Sequence, residues 1–354
     1  MIGLSGPTIT KSEKIFIRRV QPAGVIYFRR NVKTPKQLRA LSRSVRALYP
    51  KDHLPFIGID QEGGRVARLG APFTVFPGNR ALGQIYEKTG KTSWARFQAG
   101  AMASELRSIG VNLNFTPVAD IDSNPKNPII GSRSFGKDPG TVSKLVLATT
   151  GAYRSSGVIS CAKHFPGHGD THTDSHKVLP TVKASSQTLL RRELVPFRKA
   201  IASGIPAIMT AHVIYRGLDA KRTATLSPII MDQLLRRKFR FKGVLISDDL
   251  EMSAIAAHRS IADAAVDAIA AGVDLLLVCS SLKEAKSVHQ RLKKAVRGEE
   301  LSLRRVQSAL TRIASLRRKY VTGKGARHWG PLPKSGWPRH QRLAAKIQDL
   351  SLGS

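Results

Sequence analysis

Short apolar runs alternate with longer amphipathic stretches along most of the chain. The apolar runs are nearly continuous, as in strands buried on both faces. They predict strands at Gly24–Phe28, Pro55–Asp60, Val111–Pro117, Gly157–Ala162, Ile205–Ala211, Gly243–Ser247 and Val273–Val278, with a short one near Ile2–Leu4. Helical spacing predicts helices at Pro35–Leu48, Ser93–Ile109, Gln187–Ala202, Ser227–Phe239, Ile261–Ala271, Ser281–Val296 and Leu301–Tyr320. Thr34-Pro35 and Ser227-Pro228 each place a cap before a first-turn proline. Gly110, Gly204 and Gly272 follow helical runs and suit a left-handed C-terminal position.

Repeated strand–helix alternation argues for a parallel sheet covered by helices. Asp60, Asp120, His164, His212 and Asp248 each fall at or just beyond the C-terminal end of a different strand. A closed barrel gathers such ends into one mouth, whereas an open sheet spreads them out. The expected fold is therefore a single α/β barrel of the (β/α)8 TIM type, irregular at its short first strand. It would occupy residues 1–322, and residues 323–354, basic and bearing Gly, Pro and Trp, form a C-terminal extension with a helical pattern at Gln341–Leu350.

Composition changes this picture little, except in charge. With 42% hydrophobic residues the chain is globular, and no apolar run approaches the ~20 residues of a membrane span. The first residues lack a basic region followed by an apolar one, so no signal peptide is expected and the cytoplasm is the expected compartment. Cys161 and Cys279 sit in apolar runs and read as reduced core thiols. The 58 Lys+Arg against 24 Asp+Glu leave a formal charge of +34. Such a field favours weak, non-specific polyanion binding, although the basic clusters (Arg236-Arg237-Lys238 and Arg317-Arg318-Lys319 among them) also read as solvated helix faces.

The densest chemistry is Lys163-His-Phe-Pro-Gly-His-Gly-Asp-Thr-His-Thr-Asp-Ser-His176, with four histidines and two aspartates in fourteen residues. Spacing of four would make a zinc stripe on a helix, but Pro166, Gly167 and Gly169 argue against a helix, so no metal is expected. In an extended loop Asp174 can reach His176 and fix its tautomer for acid–base work; a solvent-facing pair is the plainer alternative. The strand Gly243–Ser247 delivers Asp248 and Asp249, of which alternation sends only one inward; helix capping is the alternative for either. Asp60 with Arg68, and Arg133 from a separate loop, have the chemistry to clamp vicinal hydroxyls; a turn-stabilising role is the alternative for Arg133.

Together these segments resemble family 3 glycoside hydrolases, and more narrowly the bacterial β-N-acetylglucosaminidases that recycle cell-wall fragments in the cytoplasm. The resemblance rests on Asp60-Gln-Glu-Gly-Gly-Arg-Val66, on the histidine-bearing stretch 163–176 and on Ser247-Asp-Asp-Leu-Glu-Met252. It implies a retaining exo-hydrolase with Asp248 as nucleophile, His176 as acid/base and Asp174 as its partner. It also implies that Asp60, Arg68, Arg133, Lys163 and His164 hold the sugar hydroxyls, and that Gly167 and Gly169 hinge a mobile loop. The implied substrate is a small oligosaccharide or muropeptide, GlcNAc-anhydroMurNAc with or without peptide, and the implied protein is a monomer needing no cofactor. Two alternatives are a β-GlcNAc phosphorylase on the same scaffold and a non-catalytic basic protein that binds polyanions or polysaccharide.

Overall fold

The computed structural model describes residues 1–175, 179–323, 329–333 and 336–353. Eight parallel strands follow one another in chain order: β1 Ile2–Gly3, β2 Gly24–Tyr27, β3 Phe56–Ile59, β4 Leu113–Asn114, β5 Ile159–Phe165, β6 Ala207–Thr210, β7 Val244–Asp249 and β8 Leu275–Leu277. They curl into a nearly closed barrel. Its seam, between β1 and β8, is held by a single isolated bridge, Ile2 to Val278, instead of a ladder.

Alternation along each strand divides the apolar residues into two cores. Ile26, Phe56, Cys161, Met209, Val244 and Ile246 fill the barrel interior. Val25, Tyr27, Ile57, Ala162, Ile208 and Leu245 pack outward against the helices. The inward parity has a direct consequence at the carboxyl ends. Continued by two residues from the interior set, it carries Phe28, Lys163 and Asp248 onto the mouth, and Asp60 joins them two residues beyond Gly58. Both cysteines are buried and free, and burial pushes their thiols up, which suits inert core positions.

Helix ends follow their sequence signals. Thr34 accepts the Gln37 amide at 3.1 Å, Ser227 accepts the Ile230 amide at 3.1 Å, and Gly110, Gly204 and Gly272 all have positive φ. The helix expected at Ser227–Phe239 is instead a π-helix, Ile229–Lys238, ending on a bond from the Phe239 amide to the Leu234 carbonyl. Apolar spacing does not separate that wider winding from an α-helix. The helix expected at Gln187–Ala202 is two, Ser186–Arg191 and Val195–Ala202. Pro196 starts the second, and the break turns Glu193 completely inward.

Among the described residues, four α-helices go beyond the sequence expectation: Lys11–Val20, Asn79–Thr89, Pro139–Ser156 and the single turn Ser253–Ala256. Of the three longer ones, the first carries a Thr10–Glu13 capping box and the last an Asp138 cap before Pro139, both legible signals. At the C-terminus, helix Pro338–Leu352 packs on helices Asn79–Thr89 and Ser93–Ser108. Trp337 stacks on Phe73 at 4.9 Å, and the Trp329 indole covers Gly110, between Arg39 and Arg46.

Candidate active site

The mouth holds a cavity of about 310 Å3, and Asp60, Glu62, Arg68, Arg133, Lys163 and Asp248 all line it. Its foundation is a hairpin just past β3, Gln61–Gly63 against Val66–Ala67. The turn needs both glycines: Gly63 and Gly64 have φ of +95° and +58°, and a Cβ on Gly63 would lie 2.6 Å from the Pro77 carbonyl oxygen.

That hairpin presents two carboxylates to three cations. Lys163 Nζ donates to Asp60 Oδ1 at 2.7 Å and pairs with Glu62 Oε1 at 2.7 Å. Arg133 grips Glu62 bidentately, Nε to Oε2 at 2.9 Å and Nη2 to Oε1 at 2.8 Å. Arg68 Nη2 reaches Asp60 Oδ2 at 3.2 Å, its guanidinium lying 5.5 Å from the Phe28 ring. Glu62 is buried, which alone would raise its pKa, yet Arg133 and Lys163 hold its carboxyl far below the usual range. Glu62, the common partner of Arg133 and Lys163, lies outside the site residues expected from sequence. Its position two residues from Asp60 in an extended hairpin was the available signal.

His164 forms the next layer. Asp120, completely buried after β4, accepts from His164 Nδ1 at 2.7 Å and from the His164 and His168 amides at 3.0 and 2.8 Å. A carboxylate at Nδ1 puts the proton there, leaving Nε2 for the Arg133 guanidinium at 3.4 Å. Burial works to raise the Asp120 pKa, but the two histidines bring it below the ordinary value.

Asp248 and Asp249 have opposite electrostatics. Burial opposes ionisation of Asp248, but the His164 and His212 imidazoles, the Asp249 amide at 2.9 Å and Lys163 together hold it below the usual carboxylate value. Burial, with the charges of Glu251 and Asp248, pushes Asp249 up to about 7. Asp249 Oδ1 accepts the Glu251 and Cys279 amides, both at 3.2 Å, and so ties the end of β7 to the turn after β8. Inward parity and a stable anion belong to Asp248.

The histidine-bearing loop is seated more firmly than its sequence suggests. Residues His164–Gly169 are all buried. A Cβ on Gly167 would lie 2.7 Å from the Glu193 Cβ, and one on Gly169 would lie 1.7 Å from the Ile121 carbonyl oxygen. Both glycines are close-packing positions where no side chain fits, and Gly167 also has a φ of +127°. His168 bonds Thr171 and Ser175 at 3.0 and 3.1 Å, and burial holds its pKa at about 4, so it acts as a neutral link. Asn127 Nδ2 donates to the carbonyls of His168 and Gly169.

Beneath the loop, Arg192 donates to Asp170 at 2.6 Å and to Glu193 at 2.7 Å. Burial pushes Glu193 up to about 7. Asp174 is described, and its charge acts on Arg65; His176 lies outside the described residues. Among the described residues no three His, Cys, Asp or Glu side chains are grouped to hold a metal, and no helix is long and apolar enough to cross a membrane.

Known proteins resemble this chain in sequence and fold. The chain is 37% identical to "Beta-hexosaminidase A" of Pseudoalteromonas piscicida over 94% of its own length but 59% of that protein's. Among solved structures, a glycoside hydrolase family 3 beta-N-acetylglucosaminidase from a Paenibacillus species superposes with a TM-score of 0.93 at 37% identity, covering 99% of this chain and 67% of that one. NagZ from Neisseria gonorrhoeae, in complex with N-trifluoroacetyl-D-glucosamine, superposes with a TM-score of 0.75 at 34% identity, covering 89% and 96%. The glycosyl hydrolase family 3 N-terminal domain matches residues 4–316, and the chain belongs to that family.

Proposed function

We propose that this chain is a retaining exo-β-N-acetylglucosaminidase that removes terminal, non-reducing β-GlcNAc. One observation carries the reading: of the two carboxylates at the end of β7 that line the cavity, only Asp248 is held as an anion, beside a set of ion-paired donors and acceptors. Asp60, Arg68, Lys163 and Arg133 offer alternating acceptors and forked donors, which suit vicinal sugar hydroxyls. A cavity of about 310 Å3 is small enough to take one ring in place of a chain, as exo-cleavage requires.

In the reaction, an Asp248 oxygen attacks the anomeric carbon while His176, oriented by Asp174, gives its proton to the departing glycosidic oxygen. The C–O bond electrons leave with that oxygen. Water then gives a proton to His176, attacks the same carbon and frees Asp248, so configuration is retained. Lys163 stays in place as charge that favours the nucleophile's anion, and His164 stays fixed between Asp120 and Arg133.

The hexosaminidase names of the relatives support this activity, and nothing among them favours phosphorolysis or a non-catalytic role. For the physiological substrate we take GlcNAc-anhydroMurNAc, with or without peptide, met in cytoplasmic cell-wall recycling by a monomer. Weak polyanion binding by the +34 chain would accompany the activity without serving it. Incubation with a chromogenic β-GlcNAc glycoside, with and without phosphate, tests the reading: release of free GlcNAc unaffected by phosphate supports it. Accumulation of GlcNAc 1-phosphate, or no release at all, contradicts it.

A further inference from the structure

The strongest feature that the reaction leaves unused lies at the opposite end of the barrel. Asp274, just before β8, is buried, and its carboxylate meets three arginines: Arg236, Arg305 at 3.1 Å and Arg312 at 2.9 Å. It also accepts the Leu245 amide at 3.0 Å. One carboxylate against three guanidiniums leaves two positive charges uncompensated. Buried Arg236 Nε and Arg305 Nη1 have no hydrogen-bond partner. Burial, together with the Arg312 and Arg305 charges and against the pull of Asp274, holds Arg236 down at about 10.

Arg312 is the member of this cluster that opens outward. It lines a cleft of about 550 Å3 between the segment entering β7 and helix Leu303–Arg317 with its continuation to Tyr320. Arg240 and Lys242 stand on one wall and Lys319 on the other, over apolar Phe241 and Tyr320. None of the described residues lining the cleft is acidic. Arg240, Lys242 and Lys319 are exposed, so their charges are available to a ligand.

We propose that this cleft binds an anion built of linked phosphate groups, a di- or triphosphate chain. Converging cations with a guanidinium among them suit several phosphate oxygens at once, and a single phosphate would leave most of that charge unmet. The concave shape excludes a flat bilayer surface, which could not enter it. The site is separate from the barrel mouth and independent of the reaction assigned there.

The experiment is a calorimetric titration of the full chain with inorganic tripolyphosphate, repeated with ATP. It compares wild type, the double variant Lys242→Glu/Lys319→Glu, and a control, Lys11→Glu/Lys14→Glu, that changes net charge equally at two exposed residues outside the cleft. Saturable one-to-one binding is expected, weakened about ten-fold or more by the cleft variant and about two-fold or less by the control, because only the first removes contacts. Turnover of a β-GlcNAc glycoside should be the same in all three. Equal binding of both ligands assigns the cleft to the phosphate chain itself, and tighter binding of ATP assigns it to nucleotides. Equal weakening by both variants, or no saturable binding to wild type, overturns the proposal.

Discussion

Glu62→Gln tests the architecture of the mouth. The change keeps the side-chain shape but removes the charge shared by Lys163 and Arg133. Lys163 retains Asp60 at 2.7 Å, whereas Arg133, 9% exposed, keeps only neutral acceptors: the glutamine oxygen, the Ile129 carbonyl at 3.3 Å and the His164 ring at 3.4 Å. Removing one partner of a buried ion pair costs about 3–5 kcal/mol, chiefly through the charge left behind. That is a large part of a typical folding stability of about 5–15 kcal/mol. Urea unfolding should therefore show a lower midpoint with an unchanged slope. The sign of the pH effect follows from the depressed Glu62 pKa. Its stabilisation is complete above the unfolded value of roughly 4.3 and fades as pH falls toward the folded value. The gap between wild type and variant should thus be full at neutral pH and narrow in acid. In kinetics KM should rise, since Lys163 and Arg133 lose their fixed positions. A stability change below about 1 kcal/mol, the size of an exposed pair, with KM unchanged would refute the buried-cluster argument.

Asp249→Asn keeps an acceptor for the Glu251 and Cys279 amides but cannot ionise. The raised Asp249 pKa stabilises the fold fully below roughly pH 3.9, and that benefit is lost as pH rises through about 7. The variant should therefore gain stability relative to wild type between pH 5 and 8, on the order of 1 kcal/mol or more; thermal unfolding across that range checks it. Arg192→Ala should lower kcat more than it raises KM, by loosening the seat under the loop, and Arg192→Lys should recover part of the loss. Equal kinetics in all three would make Arg192 a bystander. His176→Ala should cripple cleavage of a GlcNAc–sugar bond far more than glycosyl-enzyme formation from an activated aryl glycoside. Azide should restore turnover of the aryl substrate, with Asp174→Ala showing a milder form. No rescue and no glycosyl azide would move the acid elsewhere, with Asp249 the next candidate.

The barrel was legible because each strand is a short apolar run and each carries its chemistry at the same end. Parity read from Val244 and Ile246 sends Asp248 inward, but Asp249 lines the cavity as well, and their opposite electrostatics separate the two. Arg192 and Glu193 were not legible. In an unbroken helix they are ordinary surface residues, and only the break before Pro196 turns Glu193 under Gly167. The close packing of the two loop glycines was hidden for a related reason: Ile121 and Glu193, which crowd them, are distant in the chain. The charge excess was plain from composition, but Asp274 and its three arginines come together only through the closure of β7 onto β8.

The central claim is that Asp248 becomes covalently bound to the sugar. Reacting His176→Ala with an activated aryl β-GlcNAc glycoside should form the glycosyl-enzyme faster than it is hydrolysed, so the adduct should accumulate. Acid quenching, digestion and peptide mass spectrometry then locate the added mass. The account predicts one N-acetylhexosamine on the peptide containing Asp248, absent when Asp248→Ala is combined with the histidine variant. An adduct on another carboxylate, or full turnover by Asp248→Ala, would contradict it.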